Sequence, residues 1–315
     1  MTLLESMSIL PAYWREVHPA RRWTLVWPRE HGAWGILLVS LITGASVGFS
    51  SSTDLSTLLW LTVAVVAAFC LRTPIENSLP ASPFRARGSA EWCWVIAAAS
   101  IYALTGALAV AMLIGAGFLG LLWKLGLAAA GFFVMQAVAK KLGRAGRLAG
   151  EIIGAFGLTL AAVAGWAVAA GGFEQQALAI WILNGLFAAD QILFVQLRIR
   201  EVRAGKGSSG SSGRMLFLAV EALIALLLIG GAHAGFIPWL ALLAFLPVLA
   251  RGGAWMLRTD RGRRQIHRLG KSELFYGGMH LTPVTLQVVS QDLRLLLEIS
   301  LAGTGSIIKA CWTRR

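Results

Sequence analysis

The sequence predicts an all-α, polytopic transmembrane helical bundle of eight to nine spans. Three observations predict it. Hydrophobic residues make up 57% of the 315 and charged residues only 14%, well under the roughly 25% of an ordinary soluble domain. Apolar segments near the length that crosses a hydrocarbon core, about 20 residues, recur along the whole chain. Basic residues concentrate in alternate connections, as the positive-inside rule requires of a multi-pass protein.

Residues 1–28 form a cytoplasmic or interfacial N-terminal segment. They carry Arg15, Arg21 and Arg22 but no apolar core followed by small residues, so no cleaved signal peptide is expected and the first span is its own insertion signal. Spans follow at about 32–49, 55–71, 93–114, 118–139, 149–171, 176–197, 215–233 and 236–257. A ninth, about 273–291, contains Tyr276, His280, Pro283, Gln287 and Gln291 and crosses only where protein covers its polar face. The transmembrane domain is therefore 29–291, with a C-terminal tail at 292–315. Between the sixth and seventh spans, "GKGSSGSSGR" (Gly205 to Arg214) has the composition of a flexible linker.

Basic residues check this map independently. Arg15, Arg21, Arg22 and Arg29 precede the first span; Arg72, Arg85 and Arg87 follow the second; Lys140, Lys141, Arg144 and Arg147 follow the fourth. Arg198, Arg200, Arg203, Lys206 and Arg214 follow the sixth, and the stretch from Arg251 to Lys271 follows the eighth. Of the 28 Lys and Arg, only Lys124, Arg294, Lys309, Arg314 and Arg315 lie elsewhere. One miscounted helix would destroy this register, so the N-terminus is expected in the cytoplasm. The net charge of +13 is thereby explained by orientation in the membrane, and no nucleic-acid partner is expected.

Minor features agree with a membrane reading. Trp23, Trp27, Trp92, Trp94, Trp239 and Trp255 sit near span ends, as an interfacial aromatic belt requires. Lys124 belongs to the opposite leaflet and snorkels outward. Cys70, Cys93 and Cys311 have no metal-ligand or CxxC spacing, so neither a disulfide framework nor a metal site is expected. Pairs such as Gly150 with Gly154 read as helix-packing features. No GxSxG, Walker loop or HExxH occurs.

The stretch "WPREHGAWGILLVSLITG", Trp27 to Gly44, sets Arg29, Glu30 and His31 against an uncharged run. On the expected topology these residues, with Trp34, are level with Arg72, Glu76 and Asn77 after the second span. Arg147 and Glu151 at the fifth span, and Arg198, Glu201 and Arg203 after the sixth, share that depth. Together they are candidates for one inward-facing polar site. Two acids lie deeper: Asp190, followed by Gln191, is roughly 12 Å in along its helix from Arg198, and Glu221 is roughly 10 Å in from Arg214. An intramembrane carboxylate must pair, protonate or line a wet cavity, so a functional role is the default expectation. Asp190, Phe194, Arg198 and Glu201 fall on one helical face, which predicts a water-filled groove along the sixth span. Structural roles compete with this, since Glu30 and Glu151 suit helix N-termini and arginines at span ends suit headgroups.

"PREHGAWGILL", Pro28 to Leu38, resembles the opening signature of the YwiC-like family of bacterial integral membrane proteins. "RAGRLAGEIIGAFGLTLAA" (Arg144 to Ala162) and "LFVQLRIREVRAG" (Leu193 to Gly205) sit where that family also has basic, helix-capping stretches. The resemblance implies a multi-pass protein of the bacterial cytoplasmic (inner) membrane and no defined reaction. More distantly, the plan is similar to the UbiA prenyltransferase superfamily, whose members have nine helices, a lateral opening to lipid and a cytoplasmic-side active site. That superfamily holds Mg²⁺ and an isoprenoid diphosphate with two aspartate-rich motifs. Here "LRTPIENSLPASPFRARG" has Glu76 and Asn77 but no aspartate, and "ADQILFVQLRIREVRAGKG" has arginines where the acids belong. No metal and no cofactor are therefore expected, because hard Mg²⁺ wants carboxylate oxygens. Arginine forks instead bind phosphate directly.

The leading expectation is a cytoplasmic-side cavity for a phosphorylated or isoprenoid membrane lipid, as in a divergent UbiA-like transferase without the metal motifs. His31 would be the general acid or base, oriented by Glu30 or Glu151, because its proton affinity lies near operating pH. Arg29, Trp34, Arg72, Glu76, Asn77, Arg147, Asp190, Gln191, Arg198, Glu201 and Arg203 would contact the substrate. The alternative is a secondary transporter that uses Asp190 and Glu221 as proton or ion sites; Pro238 and Pro247 suit a kinked helix, but no matching break occurs in an earlier half. A scaffold role remains if neither activity is found.

Overall fold

The computed structural model describes residues 17–50, 52–80, 82, 84–204 and 211–257. Among them the chain is helical and contains no strand: α1 (Pro19–Val26), α2 (His31–Val47), α3 (Leu55–Ser78), α4 (Ser89–Gly115), α5 (Leu119–Lys141), α6 (Gly143–Ala169), α7 (Gln175–Ala204), α8 (Ser211–His233) and α9 (Leu240–Leu257). Each of the eight expected apolar segments forms a helix, α2 to α9. The ninth expected span and the 292–315 tail lie outside the described residues.

Among the described residues six helices, α3 to α8, are long and apolar enough to cross a bilayer. The apolar stretches of α2 and α9, Gly32–Val47 and Ala241–Ala250, are shorter. At 1.5 Å per residue, the 17 residues of α2 extend about 25 Å. The chain is thus a multi-pass membrane protein built from helices whose backbone hydrogen bonds close internally, as hydrocarbon demands.

The largest deviations of helix ends from the sequence reading are on the basic side; on the other side Leu240 starts four residues later than expected, and Val47 and Ala169 end two earlier. The second span, expected to stop near 71, continues as α3 to Ser78 with Pro74 inside it. The fourth connection shrinks to Leu142, because α6 starts at Gly143 rather than 149, and α7 runs on to Ala204 rather than 197. Gly143 has φ of +73°, a left-handed conformation that glycine adopts without Cβ strain and that turns α5 directly into α6. Arg72, Glu76, Asn77, Arg147, Arg198, Glu201 and Arg203 therefore stand on helices, not in loops.

The chain divides into two compact units. Unit 1 holds the described residues up to Trp34 together with those of Ser50–Ala128. Its main contact is α3 against α4, where a Cβ at Gly106 would meet Ala67 at ordinary van der Waals distance. Helix α1 docks on this pair by burying Leu25 completely against Ala86 and Val95, with Val26 and Trp92 beside them. Asp54 caps the start of α3, accepting from the Ser56 and Thr57 amides.

Unit 2 holds Gly35–Phe49 and the described residues from Ala129 onward. Within it α2 and α6 meet backbone to backbone: a Cβ at Gly44 would collide with the Ala162 carbonyl, and one at Gly165 with Leu41 and Ala45. A Cβ at Gly154 would likewise run into Gln136 of α5, so Gly154 is a packing feature as expected. Phe156 and Phe132 both set their rings edge-on to Trp181, whose indole donates to the Phe156 carbonyl at 3.0 Å. Leu183, Phe187, Ile224, Leu228, Ile237, Ala241, Ala244, Phe245 and Val248 form the core that joins α7, α8 and α9.

Candidate functional site

In unit 1 the expected polar residues gather where α1, α2 and α3 meet. Because α3 continues past Pro74, Arg72 and Glu76 fall one turn apart, and Arg72 Nε donates to Glu76 Oε1 at 2.8 Å. Arg72 Nη1 lies 3.6 Å from Glu30 Oε2, an ion pair longer than a hydrogen bond. The three side chains differ in exposure: Arg72 is 19% exposed, Glu76 37% and Glu30 63%. Glu76 therefore holds the guanidinium in place, and Glu30 is the loosely held, solvated partner.

An aromatic pile stands in the same unit. Trp27 and Trp34 stack with ring centroids 5.4 Å apart, and Trp34 meets Phe69 edge-on at 4.8 Å. Trp34 Nε1 donates to the Pro28 carbonyl at 3.4 Å, tying the entrance of α2 to the pile. Arg29 sits 5.2 Å over the Phe84 ring, a cation–π contact. His31 is the first residue of α2, directly after Glu30; its place on the helix is described, its side chain is not.

Asn77 has a different task from the one expected. It is buried, donates to the Thr24 and Leu25 carbonyls at 3.3 and 3.1 Å, and accepts from Ser82 at 2.9 Å. Those carbonyls belong to the last turn of α1, which has no helical partners of its own. Asn77 is thus a clamp on α1. Two further clamps escaped the sequence reading: Arg21 forks onto Glu91 at 2.9 and 3.1 Å while donating to the Arg85 carbonyl at 3.0 Å, and Arg22 donates to the Val17 carbonyl at 2.6 Å with Trp94 beneath it. The Glu91 hydrogen bond holds the Arg21 guanidinium above its ordinary pKa. The opposite signs of Arg21 and Glu91 are visible in the sequence, but nothing in their spacing of 70 residues announces the pair.

In unit 2, Gln196 Nε2 donates to Glu151 Oε2 at 2.7 Å, joining α7 to α6. This bond flanks a groove lined by Leu148, Leu193, Gln196, Leu197, Arg200, Leu216 and Phe217. Arg147 and Arg200 are solvent-exposed. Arg198, Glu201 and Arg203 are placed on the last turns of α7, and their side chains lie outside the described residues. Asp190 is 1% exposed and Glu221 9%. Gln191 is half-buried beside Asp190. Phe187, Asp190, Phe194 and Leu197 are buried on α7, and the groove described here opens nearer that helix's basic end.

Among the described residues no group of three or more His, Cys, Asp or Glu is arranged to hold a metal ion. Cys70 is buried and Cys93 half-buried, both as free thiols.

Residues 27–166 match the family model of YwiC-like proteins. The match bears out the resemblance first carried by Pro28 to Leu38. It spans the YwiC-like region from Trp27 to Trp166 and so includes Arg29, Glu30, His31, Trp34, Arg72, Glu76, Asn77, Arg147 and Glu151. Asp190, Gln191, Arg198, Glu201, Arg203 and Glu221 lie beyond it. No curated protein matches the sequence.

Proposed function

We propose that this YwiC-like membrane protein binds a phosphorylated or isoprenoid lipid at the basic end of unit 1, with Arg72 as the headgroup contact. The observation that carries the reading is the asymmetry around Arg72. A guanidinium fixed at Nε by Glu76 is pre-oriented, and its Nη groups face an exposed carboxylate that a phosphate can displace. Trp27, Trp34 and Phe69 supply the flat apolar surface that an isoprenoid chain needs next to its headgroup. His31, adjoining Glu30, is the general acid or base if a transfer step follows binding.

On this reading the bundle is UbiA-like in plan and holds its lipid by arginine in place of the aspartate-rich Mg²⁺ motifs. It lies in the bacterial inner membrane with its N-terminus and basic helix ends in the cytoplasm, the orientation favoured by the alternate basic connections.

The test uses full-length protein in phosphatidylcholine nanodiscs with an isoprenoid monophosphate as probe and the matching isoprenoid alcohol as control, read by native mass spectrometry. Arg72→Ala removes a charge-assisted contact and is expected to weaken monophosphate binding about tenfold or more. Glu30→Gln removes the competing carboxylate and is expected to strengthen it several-fold. His31→Ala is expected to abolish lipid-dependent turnover and leave binding intact. Equal binding of phosphate and alcohol, unmoved by Arg72→Ala, rejects the site.

A further inference from the structure

The groove of unit 2 straddles the level at which three helices leave their apolar stretches. Those stretches begin at Gly146 in α6, end at Leu197 in α7 and begin at Met215 in α8. Leu148, Leu193, Gln196, Leu197, Leu216 and Phe217 lie inside them, whereas Arg200, which completes the lining, stands three residues beyond Leu197. At 1.5 Å per residue the groove runs about 10 Å along α7 from Leu193 to Arg200, apolar at one end and cationic at the other. Arg147, the neighbour of Leu148 on α6, is exposed at the same level.

Both walls of the groove are fastened to α7. Gln196 donates to Glu151 at 2.7 Å and holds α6 on one side, and the same bond occupies Oε2 of the acid that flanks the groove. On the other side Phe194 of α7 meets Phe217 of α8 with centroids 5.9 Å apart, and Leu197 completes their buried cluster. The floor is therefore packed protein, while Leu216 at the α8 rim is 54% exposed. Leu223 and Leu227 follow Leu216 at helical spacings of seven and four and are exposed as well, so an apolar stripe about 16 Å long continues from the groove along α8.

An occupant has to match both ends at once. Lipid tails are as apolar as leucine, so the recess by itself accepts any chain, and selection falls to the cations at its rim. Arginine at headgroup level attracts negative charge, and its planar fork can donate to two phosphate oxygens together. A choline headgroup would bring a further cation against Arg147 and Arg200, whereas a phosphodiester with an uncharged substituent would not.

We infer that this groove binds one anionic diacyl phospholipid of the surrounding membrane, its phosphate on Arg200 with Arg147 beside it and one acyl chain leading past Leu216 along α8. The lipid bridges the basic ends of α6, α7 and α8. The site is separate from the one proposed in unit 1 and does not rest on it.

The test is native mass spectrometry of the full-length protein in detergent, titrated with phosphatidylglycerol and with phosphatidylcholine of identical chains. The wild type is expected to retain one phosphatidylglycerol at a several-fold lower concentration than phosphatidylcholine. Arg200→Gln is expected to weaken phosphatidylglycerol about fivefold and to leave phosphatidylcholine unchanged, the loss of one arginine's attraction. Arg147→Gln should give a smaller loss of the same kind. Leu216→Trp, at an exposed position that tolerates bulk, fills the recess and is expected to weaken both lipids. Repeating the Arg200→Gln comparison in an Arg72→Ala background separates the two units, and the fivefold effect is expected to persist there. Equal retention of the two lipids by the wild type overturns the inference, as does phosphatidylglycerol binding unmoved by Arg200→Gln. Binding unmoved by Leu216→Trp overturns it too, because the phosphate would then be held at the surface alone. An Arg200 effect that vanishes in the Arg72→Ala background would place the lipid in unit 1 and overturn it equally.

Discussion

The two units handle polarity in opposite ways. In unit 1 charged side chains sit at helix ends and neutralise one another in partly exposed pairs: Arg21 with Glu91, Arg72 with Glu30 and Glu76. In unit 2, among the described residues, three interhelical hydrogen bonds rest on uncharged donors: Trp181 onto Phe156, Ser40 onto Asn184, Gln196 onto Glu151. The difference follows from solvent. A guanidinium–carboxylate pair is tolerable where water can share its charge, whereas inside a packed bundle a neutral donor satisfies its partner without the desolvation cost of two ions.

Packing differs in the same sense, and it yields the largest expected effect. Gly44→Ala places a methyl group on the Ala162 backbone, so α2 and α6 must separate along their closest approach. Loss of monodisperse, detergent-extracted protein is expected, on a size-exclusion assay. Gly106→Ala in unit 1 puts the same methyl 3.5 Å from Ala67, an ordinary contact. It is expected to be neutral or to stabilise by up to about 1 kcal/mol through helix propensity. If both changes have equal effects, the claim that unit 2 alone depends on backbone contact is wrong.

Leu25→Ala probes how firmly unit 1 holds its interfacial helix. Leu25 is fully buried among Ala86, Val95, Val26 and Trp92, so the truncation is expected to cost about 2–4 kcal/mol. The loss should appear as faster proteolysis of the N-terminal segment with α7–α9 unaffected. A smaller effect is expected at the Arg21–Glu91 fork. A double-mutant cycle of Arg21→Ala and Glu91→Ala should give a coupling of about 1 kcal/mol, because the two side chains are only 28% and 18% exposed and bond twice. A coupling that vanishes would show the fork to be a surface ornament.

The same contrast explains what the sequence made legible. Hydropathy found all eight apolar helices because lipid contact requires apolar side chains along the whole crossing. It placed several ends opposite the basic connections, such as Leu55 and His233, within a residue, and missed others by two to four, ending at Val47 for 49 and starting at Leu240 for 236. At the basic ends it stopped short, at 71 for Ser78 and at 197 for Ala204, because a helix that leaves the lipid keeps its backbone bonds and loses only its greasiness. The site was legible only where charge and proximity in sequence coincide, as in Arg72 with Glu76. Asn77 looked like a substrate contact because an amide's partners cannot be read from its type. Asp190 and Glu221 were singled out by depth, and both are buried.

The smallest effect belongs to the cap of α3, where water is fully present. Asp54 accepts from the Thr57 and Ser56 hydroxyls and from both amides, and these bonds lower its pKa from 3.8 to about 2. A depressed carboxylate stabilises the folded cap above the unfolded value, and that contribution fades as pH falls from about 4 towards 2. Hydrogen exchange of the Ser56 and Thr57 amides should therefore lose protection across that window, relative to amides mid-helix. Asp54→Asn, which keeps an acceptor but cannot titrate, should show a flat profile. Because the side chain is fully solvated, the change should remain confined to the first turn of α3 and leave the α1 clamp at Asn77 untouched. Protection lost at the clamp over the same pH range would mean that α3 responds as one rigid body, and the separation drawn between its wet and packed ends would fail.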